Sequence, residues 1–417
     1  MYQKIELFNK NYIFYFFLLI AITIPVGIGI NNVAIILTTL ISIISFNKTK
    51  FIENFKSNSI SKLFIGFYLI MFISILYSEN LKIGFNILSR SVFFLIIPFI
   101  FISNYHHVNE NKVKKILDYF VYSIFWIGVL FILNAVYNTY IYASVNPLNV
   151  SNGNFFSYIK LTSLLKLHPI YFGLFILVSY GYTLLDLTQN KKKLCLNKLV
   201  VILFFSILIM LLSSFYLLIV FVVLNSYILI PFIYKKGGKI IFVVTFLIAI
   251  LSAMYFSSGF IIHKFNGVNI KNDITTLDFS GNDFTAIKAR KAKWFCTLQV
   301  IKENMLIGTG VGDGNDELFK MYKKYNFLHG IERTYNSHNQ YLTTTLYIGI
   351  FGLLYLLFLL FAVFKNAVNN KNKITFVFVS VLSLFFITES VLERQVGVVF
   401  FVFFSILLTL NKPEADV

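Results

Sequence analysis

Runs of about twenty apolar residues follow one another along nearly the whole chain, parted by short polar stretches. A hydrocarbon layer about 30 Å thick demands that length of a helix rising about 1.5 Å per residue. The pattern therefore predicts an all-α polytopic membrane protein with about twelve transmembrane helices. The runs fall near residues 12–30, 32–46, 61–77, 82–103, 116–143, 169–187, 197–212, 214–234, 239–257, 340–364, 374–389 and 395–411. The stretch 197–234 is too long to cross once, so it is divided at Ser213 and Ser214. The first run, Tyr12 to about Ile30, follows Lys4 and Lys10 but is longer than the apolar core of a signal peptide and lacks a small-residue cleavage site, so it is read as a retained span.

One long interruption stands between the ninth and tenth runs, where Asp, Asn, Gly, Lys and Thr replace the Phe, Ile and Leu background. This divides the chain into residues 1–257 (spans one to nine), the loop 258–338, and residues 339–417 (spans ten to twelve with a cytoplasmic tail). Within the loop, Phe284 to Glu303 places Ile287, Trp294, Leu298 and Ile301 at near-helical spacing with Lys and Arg between them. That spacing predicts an amphipathic helix lying along the outer membrane surface. Gly308, Gly310, Gly312 and Gly314 end it in a turn that lets the loop fold back, and Asp313 or Asn315 caps a second helix through about Tyr325. The sequence ERTYNSHNQYL then leads straight into the tenth span.

Composition agrees: 58% of the 417 residues are hydrophobic and only 13% charged, outside the balance of a soluble domain. The net charge of +18 does not call for nucleic acid, because the basic residues are spread through short loops where membrane orientation accounts for them. With a cytoplasmic N-terminus, more than half of the 36 lysines and arginines fall in alternate, inside segments. The short outside loops hold only Lys82, Lys160, Lys166 and Arg394. The reading is a bacterial inner-membrane protein with both termini cytoplasmic and loop 258–338 periplasmic. Cys195 and Cys296 then fall on opposite sides, which leaves no disulfide framework and no metal-ligand spacing.

Three late segments resemble the O-antigen ligase and polymerase family of bacterial polysaccharide assembly: RKAKW with Arg290 and Trp294, ENMLIGTGVGDG, and SHNQYLTTTLYIGIFGLL, in that order between two late spans. The resemblance covers roughly the last half of the chain, from LLSS near Ser213 to TESVLERQVGVVFF. It implies a glycosyltransferase that moves a glycan from undecaprenyl diphosphate to an acceptor hydroxyl, on lipid A core, a growing polysaccharide or a protein. By motif the family's loop arginine falls on Arg290 and its histidine on His338. Many members carry an arginine after the serine pair, where this chain has Phe215, so that contact is missing or supplied elsewhere. No cofactor and no metal are expected.

The residues support such chemistry on their own terms. A lipid diphosphate needs fixed cations near the interface, and the planar guanidinium binds phosphate oxygens bidentately at any relevant pH. The four arginines, Arg90, Arg290, Arg333 and Arg394, all map to the outer half of the membrane or beyond, whereas lysine serves topology. Arg90, Arg333 and Arg394 are therefore the diphosphate-binding candidates, with Arg290 and His338 as the catalytic pair. A charge such as Arg90 inside a span costs several kcal/mol and faces a cavity or a partner. It alternatively snorkels or pairs with Glu389, and Arg394 alternatively forms an ion pair with Glu393 and Glu389.

His338 stands where the loop enters the tenth span, and an imidazole, with an ordinary pKa of about 6.5, accepts a proton near neutral pH. Without the resemblance, a helix-start histidine satisfying backbone groups is the commoner case. His329 and His263 lack such support, and interfacial packing is the simpler account of His168. The glycine run lacks the lysine and hydroxyl residue of a nucleotide loop. Asp313, Asp316 and Glu317 are more simply a solvated helix start than a cation site. A lipid-linked glycan carrier is the competing class, but the Arg290 to Gly352 pattern has no counterpart in the N-terminal half, as a two-repeat carrier would require.

Overall fold

A computed structural model describes residues 2–145, 155–189, 196–236, 279 and 286–410. The ninth predicted run and the first part of the long loop lie outside these. Every other predicted run is helical, as hydrocarbon requires of a backbone that must satisfy its own polar groups. In chain order the helices are α1 (Tyr2–Thr23), α2 (Ile28–Ile44), α3 (Lys48–Ser57), α4 (Ser59–Ile73), α5 (Leu81–Ser91), α6 (Phe93–Asn104), α7 (Glu110–Val145) and the single turn α8 (Tyr158–Leu161). They continue with α9 (Pro169–Gln189), α10 (Leu196–Leu211), α11 (Phe215–Lys236), α12 (Ala286–Glu303), α13 (Gly314–Lys324), the short α14 (Leu328–Glu332), α15 (Gln340–Asn369), α16 (Lys373–Thr388) and α17 (Gln395–Thr409).

Among the described residues, five helical segments are long and apolar enough to cross a membrane: Ser59–Tyr77, Leu81–Asn104, Glu110–Val145, Pro169–Gln189 and Gln340–Asn369. A sixth arises if α2 and α3, bent by 119° at their junction, form one broken span, and five shorter apolar helices accompany them. Two boundaries differ from expectation in an instructive way. Pro25 lies inside the first apolar run, and α1 stops at Thr23 because a proline cannot continue the hydrogen-bond ladder. The split at Ser213 and Ser214 is present, with Ser213 at φ 48° between α10 and α11.

The centre of the bundle is α17, buried on every face from Gly397 to Leu408, together with the first half of α9. Around them α4, α6, α7, α15 and α16 turn one face inward, while residues such as Trp126, Leu133, Phe351 and Phe358 stay exposed on the rim. Among the described residues six asparagines, Asn47, Asn58, Asn80, Asn109, Asn339 and Asn372, start helices by accepting a hydrogen bond from an amide in the first turn. The turn at Ser78–Asn80, the start of α9, the start of α15 and the α16–α17 turn gather at one end of the bundle. Lys62, Tyr105, Lys365 and Leu410 meet at the other. Segments predicted for opposite sides of the membrane thus occupy opposite ends.

Candidate active site

The glycine segment fixes the floor of the site. Inside α15 the backbone leaves helical geometry at Ile348 and Gly349, and the loop fills the break. The amides of Thr309 and Gly310 donate to the carbonyls of Leu346 and Tyr347 (2.9 Å each), and the Ile350 amide donates to Met305 (2.9 Å). Only glycine suits Gly349, which has φ 68°, and where a Cβ would lie 2.1 Å from the Leu306 carbonyl oxygen. The segment is then tied to α4 and α5. Ser74 and Ser78 accept from the amides of Val311 and Gly312, and the Asp313 carboxylate accepts from the amides of Glu79 (2.8 Å) and Asn80 (2.7 Å). The glycine run is a docking strand, in keeping with a fold-back turn. Asp313 corrects the expectation of a solvated helix start, because it satisfies amides ahead of α5 and its side chain makes no cap on α13.

The second clamp is the segment Asn336 to Gln340. Asn339 caps α15 through the Leu342 amide (3.0 Å) and donates its own amide to Ser390 Oγ (3.2 Å), while Gln340 accepts from the Leu392 amide (2.7 Å). The Asn336 amide donates to Glu393, and the Tyr347 hydroxyl donates to the same carboxylate (2.6 Å). Burial raises the Glu393 carboxyl above the usual range, while Tyr347, Asn336 and the charges of His338 and Arg90 pull the other way. Held between these contacts, His338 adopts φ 46°, a left-handed conformation uncommon for a side chain with a Cβ. Its Nδ1 lies 3.2 Å from the Glu389 carboxylate.

A cavity of about 610 Å³ opens above this clamp. α5 contributes Arg90, the segment before α15 contributes Arg333 and His338, and the α16–α17 turn contributes Glu389, Glu393 and Arg394. Three of the four arginines therefore share one cavity with the predicted histidine. None of the ion pairs among the described residues involves an arginine. The alternatives that paired Arg90 with Glu389, or Arg394 with Glu393 and Glu389, are not what forms. Glu389 faces His338, Glu393 is held by Tyr347 and Asn336, and the Arg394 guanidinium lies over the Tyr171 ring at 5.9 Å. His168 lines the same cavity, with its Nδ1 buried and unbonded, and burial, then Arg394, lowers its pKa. It belongs to the site rather than to interfacial packing.

Arg290 does not line the cavity. It sits half-buried on α12, where its charge acts on Tyr158, Tyr216 and Lys293. The helix forms where predicted but buries a different face: Ala289, Ala292, Lys293, Cys296, Thr297 and Val300 are inside, whereas Leu298 is 45% exposed and Trp294 half-buried. Of the predicted stripe Ile301 is buried, and the side chain of Ile287 lies outside the described residues. Small residues face inward because α12 packs closely on α13 and α15. Sequence reasoning thus missed Lys293, which is only 7% exposed, with its Nζ 4.6 Å from the Tyr335 ring centroid. The available signal was a small-residue face, Ala289, Ala292 and Cys296, on which Lys293 falls. It also missed Tyr335, edge-on to His338 at 5.8 Å.

Among the described residues no group of three His, Cys, Asp or Glu stands together as metal ligands do. The arrangement is that of anion binding beside an imidazole oriented by a carboxylate, on the end of an apolar bundle. Residues 199–357 match the O-antigen ligase family. That stretch belongs to this family. It includes α10, α11, the loop segments described above, His338 and the first half of α15, whereas Arg90, Glu389 and Arg394 lie beyond the matched residues. No curated protein matches the chain. The family match over residues 199–357 and the long apolar helices together point to a multi-pass membrane protein with a glycosyltransferase-like activity.

Proposed function

We propose that this chain transfers a glycan from undecaprenyl diphosphate to an acceptor hydroxyl, of the lipid A core kind, at the periplasmic face of the inner membrane. The observation that carries this reading is the gathering of Arg90, Arg333 and Arg394, in no ion pair among the described residues, in one cavity with His338 and Glu389. In the reaction the acceptor oxygen attacks the anomeric carbon while the bond from that carbon to the diphosphate oxygen breaks. His338 Nδ1 donates to Glu389, which leaves Nε2 as the acceptor for the hydroxyl proton. The leaving diphosphate keeps the bonding electron pair, and guanidinium groups offset its charge, with Arg290 acting from α12 beside the cavity.

The cavity is roomy enough for a diphosphate with part of a sugar, and it sits at the end of the bundle where a polyprenyl chain could lie against the apolar rim. His338→Ala, present at normal level, is expected to lower transfer on the order of 10²- to 10⁴-fold, as loss of a general base does. Gel analysis of surface glycolipid from a deletion strain carrying each variant reads this out. Lost attachment with intact lipid-linked polymer means ligation, single repeat units on core mean polymerisation, and unglycosylated proteins with unchanged glycolipid mean a protein acceptor. Full-length surface glycan with both His338→Ala and Arg290→Ala would falsify the assignment. Reconstituted protein that moves lipid-linked sugar across a bilayer without making a glycosidic bond would replace it with a carrier.

A further inference from the structure

Lys293 is more than nine-tenths buried, yet its ammonium makes no hydrogen bond and no ion pair among the described residues. Its nearest stabilising contact is the Tyr335 ring, 4.6 Å away. The Arg290 guanidinium, one helical turn earlier on the same face of α12, disfavours the charged ammonium. The nearby carboxylate, Glu389, is already hydrogen-bonded to His338. Lys293, buried, and Arg290, half-buried, stand one turn apart with no ion pair among the described residues, an arrangement that fits an anion between them. Tyr335 connects the pair to the reacting centre: one side of its ring carries Lys293, its edge meets His338, and it lines the arginine cavity.

We propose that Lys293 and Arg290 form a two-cation subsite for the diphosphate of the lipid-linked donor, so that Lys293 supplies, from the loop helix, the contact absent at Phe215. This rests on the donor class argued above. Phe215, first residue of α11, is 56% exposed and offers no charge, whereas Tyr216 beside it lies within the influence of Arg290. A proton follows from the same geometry. In the empty site, burial first and then Arg290 hold Lys293 down to about 8, against the opposing pull of Glu389. The other groups around it are Tyr335 and His338 ahead of α15, Cys296 on α12 and Tyr322 on α13. An arriving diphosphate favours the charged ammonium and raises that pKa. Affinity is then near its plateau below about pH 8 and falls as pH rises through the empty-site value, by about fivefold between pH 8 and pH 9 and approaching tenfold per unit only above that, with one proton taken up on binding.

The test is binding of a short-chain polyprenyl diphosphate to the full chain in nanodiscs between pH 7.5 and 9.5, a window in which the phosphates themselves are already ionised. Wild type should lose about fivefold in affinity between pH 8 and pH 9. Lys293→Arg should bind at pH 7.5 within a few-fold of wild type and lose that dependence, since guanidinium does not titrate there. Lys293→Met should bind at least tenfold more weakly at pH 7.5 and likewise show no fall. Wild-type affinity and an unchanged pH profile in both variants overturn the subsite alone, leaving the arginine cavity in place. Binding that depends on neither Lys293 nor Arg90, Arg333 and Arg394 overturns the donor class with it.

Discussion

His338 shows how little freedom the reacting group retains. Its backbone is held at φ 46°, its amide donates to Asn336 Oδ1 (3.0 Å), and its ring meets Glu389 on one side and Tyr335 on another. The carboxylate fixes the tautomer, so Glu389→Gln should lower the transfer rate with little change in KM for either substrate, in a kcat and KM comparison. A few-fold effect confined to KM would mean that Glu389 only shapes the cavity. Cys296, buried on the inner face of α12, has its thiol pushed up to about 12 by burial. It should stay unmodified by iodoacetamide at pH 8 in the folded protein and react on unfolding, followed by mass spectrometry. Rapid native labelling would mean that α12 is not packed as described. Arg90 stood out in the sequence because an arginine costs too much in a span, and arginine is too rare in this chain, to serve topology, whereas His338 stood out only through its motif, and Arg290, singled out the same way, lies off the cavity. Lys293 did not, because in a chain with this many lysines its place on the small-residue face of Ala289, Ala292 and Cys296 was the one mark that set it apart.

At the scale of elements, the helices were legible and the break in one of them was not. Hydrophobic length alone gives α4 to α7, α9, α10, α11 and α15 to α17, because in hydrocarbon no other backbone satisfies itself. The interruption at Ile348 and Gly349 lies in the middle of an unbroken apolar run, where nothing local distinguishes it. Its partner, the segment from Met305 to Gly310, lies some forty residues earlier. The buried face of α12 escaped for a related reason, since close packing against neighbours rewards alanine and cysteine over the larger Trp294 and Leu298. Gly349→Ala must meet the Leu306 carbonyl as well as leave a glycine-only conformation, and should cost about 3 kcal/mol. The check is thermal unfolding in detergent, where an unchanged Tm would mean the strand does not enter the break.

For the whole molecule, the alternation of lysine-rich loops foretold which segments share an end of the bundle, and the observed ends agree with it. Which end faces the periplasm is argued from that alternation. Single cysteines placed in a cysteine-free background at Asn336 and at Asn58 test it. A membrane-impermeant maleimide added to intact spheroplasts should label the first and not the second; the reverse pattern would place the arginine cavity in the cytosol and end the donor reading. The association of the two ends has a further result. Because residues 305–310 complete the hydrogen-bond ladder of an interrupted span, lifting that strand would strip backbone groups bare inside the apolar layer, at several kcal/mol each. The segment 305–310 is consequently a keystone and not a door. Substrate and product are then expected to come and go without displacing that segment.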